Sequence, residues 1–317
     1  MIKSTYQSLL LAFIFLFWFI SPSSAHNNTA HDSSSNLNGN HEGCFSKVYA
    51  FGESDTDTGN AHFLGGFVRN STTRLSNGRL VLDFLCEALS LPPIPPYKEP
   101  SANFTNGVNF AIAGSTALSR DYFVKRNVSR LIWKGVPMSF QTQIDWFEKY
   151  LVKVGCKGND KGLCKVDMDN SLFWIGEMGV SDYTSALGSP VSLPWLTEIT
   201  VKNICKMLKA LLANGAKYVV VQGLPSVGCL PLYMSSSSEH NRDHMGCAAT
   251  ANKAIMLHNK ILETKLAKLR KMYPNSSILY ADYWNAYLTV LMNPKKYYID
   301  EAFKACCGSG GGKLNFN

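Results

Sequence analysis

A chain of 317 residues, 46% hydrophobic and only 17% charged, is long and apolar enough to bury a sizeable core, as one large α/β domain or two small ones. Its net charge of +8 is modest for this length. The one mild basic cluster, Lys260 to Lys271, reads as the solvated face of a helix, so nucleic acid is not an expected partner.

The N-terminus reads as a secretory signal. Lys3 supplies positive charge, Leu9 to Ile20 is an apolar run too short to span a bilayer comfortably, and Ser23-Ser24-Ala25 offers small residues for cleavage. Residues 1–25 are therefore excluded from the fold, no transmembrane span is expected, and a secreted protein is. Residues 26–43, rich in Asn, Ser and His, read as a disordered lead-in whose His26, His31 and His41 are loose tail. In a secreted chain the sequons at Asn27, Asn70, Asn103, Asn127 and Asn275 are candidate glycan sites. Several of the nine cysteines are expected to pair. Cys156 and Cys164 bracket a short Gly/Lys/Asp loop; Cys229 and Cys247 bracket a Ser-rich stretch; the odd count leaves one thiol over. No cysteine or histidine spacing suggests zinc, and neither metal nor cofactor is expected.

The first predicted element is a buried strand, Val48 to Phe51, ending at Gly52-Glu53-Ser54 and followed by Asp55 and Asp57. A serine just past a strand end is where a doubly wound sheet places its chemistry. A helix follows from Leu80 to Leu91, with Ser76 or Asn77 as cap, and a Pro-rich stretch ends it. Gly107 to Ala113 alternates like a strand and stops at Gly114. Ser139 to Val152 reads as an amphipathic helix and Ser171 to Ile175 as a second buried strand, closed by Gly176. A long helix from Leu193 to Ala213 ends on Asn214-Gly215. A strand from Lys217 to Gln222, a helix from Cys247 to Met272 and a strand from Ser277 to Tyr283 complete the series. Strand–helix alternation without a visible second boundary predicts an α/β domain over 44–317, a mostly parallel sheet with helices on both faces.

Val48 to Asn60 resembles the first block of the GDSL esterase/lipase family, usually Gly-Asp-Ser followed by Asp-x-Gly-Asn. Gly52, Ser54, Asp57, Gly59 and Asn60 match, and Glu53 stands where the family has Asp. Further runs resemble the plant-type members: Asn77-Gly78-Arg79 to Phe84, Gly107 to Gly114, Gly176 to Tyr183 (the block usually written Gly-x-Asn-Asp), Gly223-Leu224-Pro225 with Gly228 to Pro231, and Cys306-Cys307-Gly308. The resemblance implies a flavodoxin-like three-layer sandwich of the SGNH-hydrolase kind. It also implies hydrolysis of carboxylic esters, whether lipid or small-molecule. Thr56 rules out the Gly-x-Ser-x-Gly elbow of an ordinary α/β-hydrolase.

By the same resemblance Ser54 is the nucleophile, and the oxyanion donors are its own N–H, the N–H of Gly114 and the side chain at 181. That side chain is Ser181, not the family's Asn, and a hydroxyl reaches less far than an amide. The family's base lies in a final Asp-x-x-His block beyond Cys-Cys-Gly. No Asp-x-x-His occurs here and the sequence ends at Asn317, within that approach, which leaves three readings: an active esterase whose base lies elsewhere, a catalytically impaired relative, or a truncated product. On the third reading the missing segment would carry the family's last helix and a cysteine partner for Cys306 or Cys307. Among the other histidines, His258 sits on the apolar side of its helix and reads as structural, His240 and His244 read as surface residues, and His62 is near Ser54 in sequence. Asp55 and Asp57 read as structural acceptors at the strand-to-helix turn, and Asp182 as a helix-start residue.

Overall fold

The structure, a computed structural model, describes residues 44–65, 73–119, 122–123, 138–156, 168–306 and 310–316. The signal sequence, the lead-in, the sequons at Asn27, Asn70 and Asn127, Cys307 and the proposed closure of the loop by Cys164 lie outside the described residues.

Five strands build the sheet: β1 (Lys47–Phe51), β2 (Gly107–Asn109), β3 (Ser171–Ile175), β4 (Tyr218–Gln222) and β5 (Ser277–Ala281). All pairings are parallel, in the order β2-β1-β3-β4-β5. That is the flavodoxin-like order, and the chain reverses its direction of winding between β1 and β3. Around the sheet lie α1 (Asn60–Phe63), α2 (Val81–Ala88), α3 (Phe140–Lys153), α4 (Val180–Ala186), α5 (Leu193–Ala213), α6 (Pro231–Ser235), α7 (Ala249–Met272) and α8 (Tyr283–Met292).

Strand period sorts the core. Tyr49 and Phe51 face one side of the sheet with Phe173, Val219 and Val221, against α3, α5 and α7. Val48 and Ala50 face the other with Leu172, Trp174 and Val220, against Leu82 and Cys86 of α2. α3 presents Phe140, Ile144, Phe147 and Leu151, spaced by three and four, to the first layer. Phe51 stacks on Phe110, with ring centroids 5.2 Å apart. The three-layer α/β architecture predicted from the sequence is thus present.

Several boundaries differ from expectation. β2 stops at Asn109, because beyond it the chain pairs only intermittently: Phe110 N–H donates to Ala50 and Ile112 N–H to Gly52. Neither Ser76 nor Asn77 caps α2; the Ser76 hydroxyl accepts from Gly78 N–H in a local turn, and the Asp83 carboxylate accepts from Leu80 N–H at the helix start. β5 ends at Ala281, and Tyr283 begins a helix absent from the sequence reading, capped by the Asp282 carboxylate accepting from Asn285 N–H. α5 ends as predicted, at Asn214 with Gly215 at φ +101°. Cys229 and Cys247 form a disulfide that closes the loop carrying α6. No described helix is long and apolar enough to cross a membrane.

Candidate active site

Ser54 stands at the C-terminal end of β1, beside the end of β3, at the point where the winding reverses. Crevices of open parallel sheets form at such points. The turn that holds it is built from β-strand ends packed without side chains. A Cβ on Gly176 would lie 2.0 Å from Thr56 Oγ1, so only glycine lets the Thr56 side chain fill the gap between β1 and β3. Thr56 and Asp57 N–H groups donate to the Glu53 carbonyl, closing the turn over Ser54.

Three buried side chains fix this turn from different elements. Glu177, immediately after β3, accepts from Asp55 N–H at 2.7 Å and from the Thr56 hydroxyl at 2.9 Å. Gln143 of α3 bonds both peptide groups of Gly52: its Oε1 accepts from the N–H at 3.0 Å and its Nε2 donates to the carbonyl at 2.8 Å. The Asp57 carboxylate accepts four backbone N–H groups, from Gly59 (2.7 Å), Asn60 (2.6 Å), Ala61 (3.0 Å) and Ala113 (2.9 Å). The last bond ties the serine turn to the loop that carries Gly114. Burial pushes the Asp57 ionisation up and these four donors oppose it.

Ser54 is half-buried, and neither its N–H nor its hydroxyl has a partner among the described residues. The same holds for the N–H of Gly114, which has φ +77° and no atom within 4 Å of where a Cβ would stand. Unpaired backbone donors beside open space are what an oxyanion requires. They are the two backbone groups to which the sequence resemblance assigns the oxyanion.

Ser181, the third residue named from the resemblance, lies in the first turn of α4, where backbone N–H groups meet Glu53. Glu53 Oε1 accepts from Gly179 N–H at 2.5 Å and Oε2 from Ser181 N–H at 2.9 Å, and the Ser181 side chain beside it favours the charged form. Glu53 is fully buried, and burial, then the neighbouring Asp182, pushes its pKa up to about 8. Asp182 lies at the start of α4 as expected; its Oδ2 accepts from Ala117 N–H at 2.9 Å, and burial raises its pKa to about 7. Burial, then the nearby Asp55 and Glu53, holds Glu177 well above the carboxylate range.

No described histidine hydrogen-bonds to Ser54. His258 is fully buried, with Nδ1 3.0 Å from the Tyr183 hydroxyl. That hydroxyl donates to Thr197, which donates onward to the Leu193 carbonyl, so His258 is the Nδ1–H tautomer. Burial lowers its pKa to about 3. His240 and His244 are exposed, and His62 packs edge-on against Phe63. Asp55 is exposed and accepts from the Tyr283 hydroxyl at 3.4 Å. Among the described residues no cluster of acids, histidines and cysteines could hold a metal ion.

The family model for GDSL-like lipases and acylhydrolases matches residues 48–316. The chain belongs to this family. A GDSL esterase/lipase of Arabidopsis thaliana is 45% identical over 289 residues, covering 84% of this chain and 74% of that protein. A second from the same plant is 33% identical over 291 residues, 84% of this chain and 73% of its own length. Acetylajmalan esterase 2 of Rauvolfia serpentina is 33% identical over 286 residues, 84% and 77% of the two chains.

Sequence reasoning missed Glu177 and Gln143 as organisers of this family member's serine turn. Glu177 had a signal, an acid directly after a strand's closing glycine. Gln143 had a fainter one, a lone polar residue within the apolar stripe of α3.

Proposed function

We propose that this chain hydrolyses carboxylic esters through an acyl-enzyme on Ser54. The observation that carries the reading is the group of unpaired donors at the winding reversal: the Ser54 hydroxyl and N–H and the Gly114 N–H. The Ser54 Oγ attacks the acyl carbon, and the carbonyl oxygen becomes an oxyanion held by the Ser54 and Gly114 N–H groups, with Ser181 as a weaker third contributor. The alcohol leaves with a proton, and water then attacks the acyl carbon and restores Ser54. The proton passes through a base outside the described residues. No cofactor enters this chemistry. The substrate is a lipid or small-molecule ester.

The protein is a secreted single-domain glycoprotein. The N-terminal pattern, the Cys229–Cys247 disulfide and the exposed sequons at Asn103 and Asn275 support that reading. A second reading, a catalytically impaired relative, is favoured by one observation: no described histidine bonds Ser54. Hydrolysis of short-chain p-nitrophenyl esters decides between them. Turnover that Ser54→Ala abolishes supports the esterase, and turnover no faster than that of Ser54→Ala supports the impaired relative.

A further inference from the structure

The two positions at which the site departs from the family's pattern, Glu53 and Ser181, touch each other. We propose that they form one matched unit that seats both halves of the oxyanion hole, with Glu53 the positioning residue. The inference rests on the esterase reading only for its catalytic consequence.

Glu53 works at both ends. Its carbonyl closes the serine turn by accepting from Thr56 and Asp57 N–H. Its carboxyl group takes the Gly179 and Ser181 N–H groups at the start of α4, which has no side-chain cap of its own, and the Ser181 side chain lies beside it. One residue later, Asp182 accepts from Ala117 N–H, three residues past Gly114. The seat of α4 therefore fixes the Ser54 turn through Glu53 and the Gly114 loop through Asp182.

The fit is a matter of length. Glu is one methylene longer than Asp, and Ser is shorter than Asn. A longer acid meeting a shorter hydroxyl keeps the span between the turn and the helix. Substituting Asn alone at 181 crowds Glu53, and α4 cannot retreat: an atom placed as Cβ on Gly179 would already stand 3.1 Å from both His258 Cε1 and Thr200 Cγ2. Substituting Asp alone at 53 leaves its carboxylate short of the two N–H groups.

The test is a double-mutant cycle on the full chain with Glu53→Asp, Ser181→Asn and both together. Each single change is expected to slow fluorophosphonate labelling of Ser54 about tenfold, and the double to return within about threefold of the parent. A double variant as slow as the product of the singles overturns the pairing. The same cycle in a Ser54→Ala background reads melting temperature without catalysis. Singles are expected to melt about 2–4 °C lower and the double to recover most of that; additive losses overturn the proposal. An unlabelled parent sinks the esterase reading alone, since the melting cycle still decides the pair. Should Ser181→Asn fail to fold, Ser181→Ala serves: its effect is expected with Glu53 present and not in the Glu53→Asp background, and an equal effect in both backgrounds overturns the unit.

Discussion

Replacing Asp57 by Asn is the sharpest probe of how the serine turn is held. The carboxylate gathers four N–H donors, two on each oxygen: Gly59 and Asn60 on Oδ1, Ala61 and Ala113 on Oδ2. An amide of the same shape keeps one oxygen and turns an NH₂ toward the other pair. Two backbone N–H groups then lose their acceptor in a buried site. At about 1–3 kcal/mol for each buried unsatisfied donor, the loss is about 2–6 kcal/mol, and at roughly 2 °C per kcal/mol for a domain of this size it appears as a fall of about 4–12 °C. The assay is thermal unfolding by circular dichroism, with Asp300→Asn as control. Asp300 is exposed and has no hydrogen bond or ion pair among the described residues, so its replacement is expected to stay within about 0.5 kcal/mol of the parent. Equal melting temperatures for the two variants would mean that Asp57 does not anchor the turn.

Other perturbations read other parts of the site. Burial raises Glu53 to about 8 and Asp182 to about 7, so between about pH 4.5 and 8 the folded chain keeps protons that the unfolded chain releases. Their contribution to stability is full below about pH 4 and is lost as pH rises to about 8, with each group adding a slope of at most about 1.4 kcal/mol per pH unit. Urea unfolding across that range is expected to show falling stability and a shallower fall in Glu53→Gln; an unchanged slope in the variant contradicts the assignment. Replacing Cys229 and Cys247 by Ser opens a loop of sequence separation 18 and is expected to cost about 3 kcal/mol; a melting temperature unchanged by the double substitution, or by reductant, argues against the bridge. Gln143→Met unpairs both Gly52 peptide groups and is expected to slow modification of Ser54 by about tenfold, read by adduct formation over time. Parental kinetics in that variant would remove Gln143 from the account.

Much of the fold was legible because its signals are local. Ser171 to Ile175 and Leu193 to Ala213 lie where the apolar run and the helical spacing put them, since a strand buried on both faces and a long amphipathic helix each carry their pattern in consecutive residues. α8 was not legible: Tyr283, Trp284 and Tyr287 follow β5 at once, and an aromatic-rich start extends a strand pattern as readily as it begins a helix. The proposed nucleophile, Ser54, and the proposed donor, Gly114, were visible through the ordered blocks. Their support was not, because it is non-local. Glu53 meets partners 126 and 128 residues away, and Gln143 reaches Gly52 across 91. A single chain read in order shows each of these residues without its partner, so Glu53 and Ser181 appeared as two separate departures until the contact joined them.

The proposal makes Ser54 a nucleophile whose own N–H and the Gly114 N–H, both unpaired among the described residues, would hold the oxyanion. It is tested most directly by treating the folded protein with a fluorophosphonate probe and locating the adduct by mass spectrometry. One adduct is expected, on the peptide containing Ser54, and it is expected to disappear in Ser54→Ala. A well-folded protein that takes up no probe, or one labelled equally after that substitution, would contradict it.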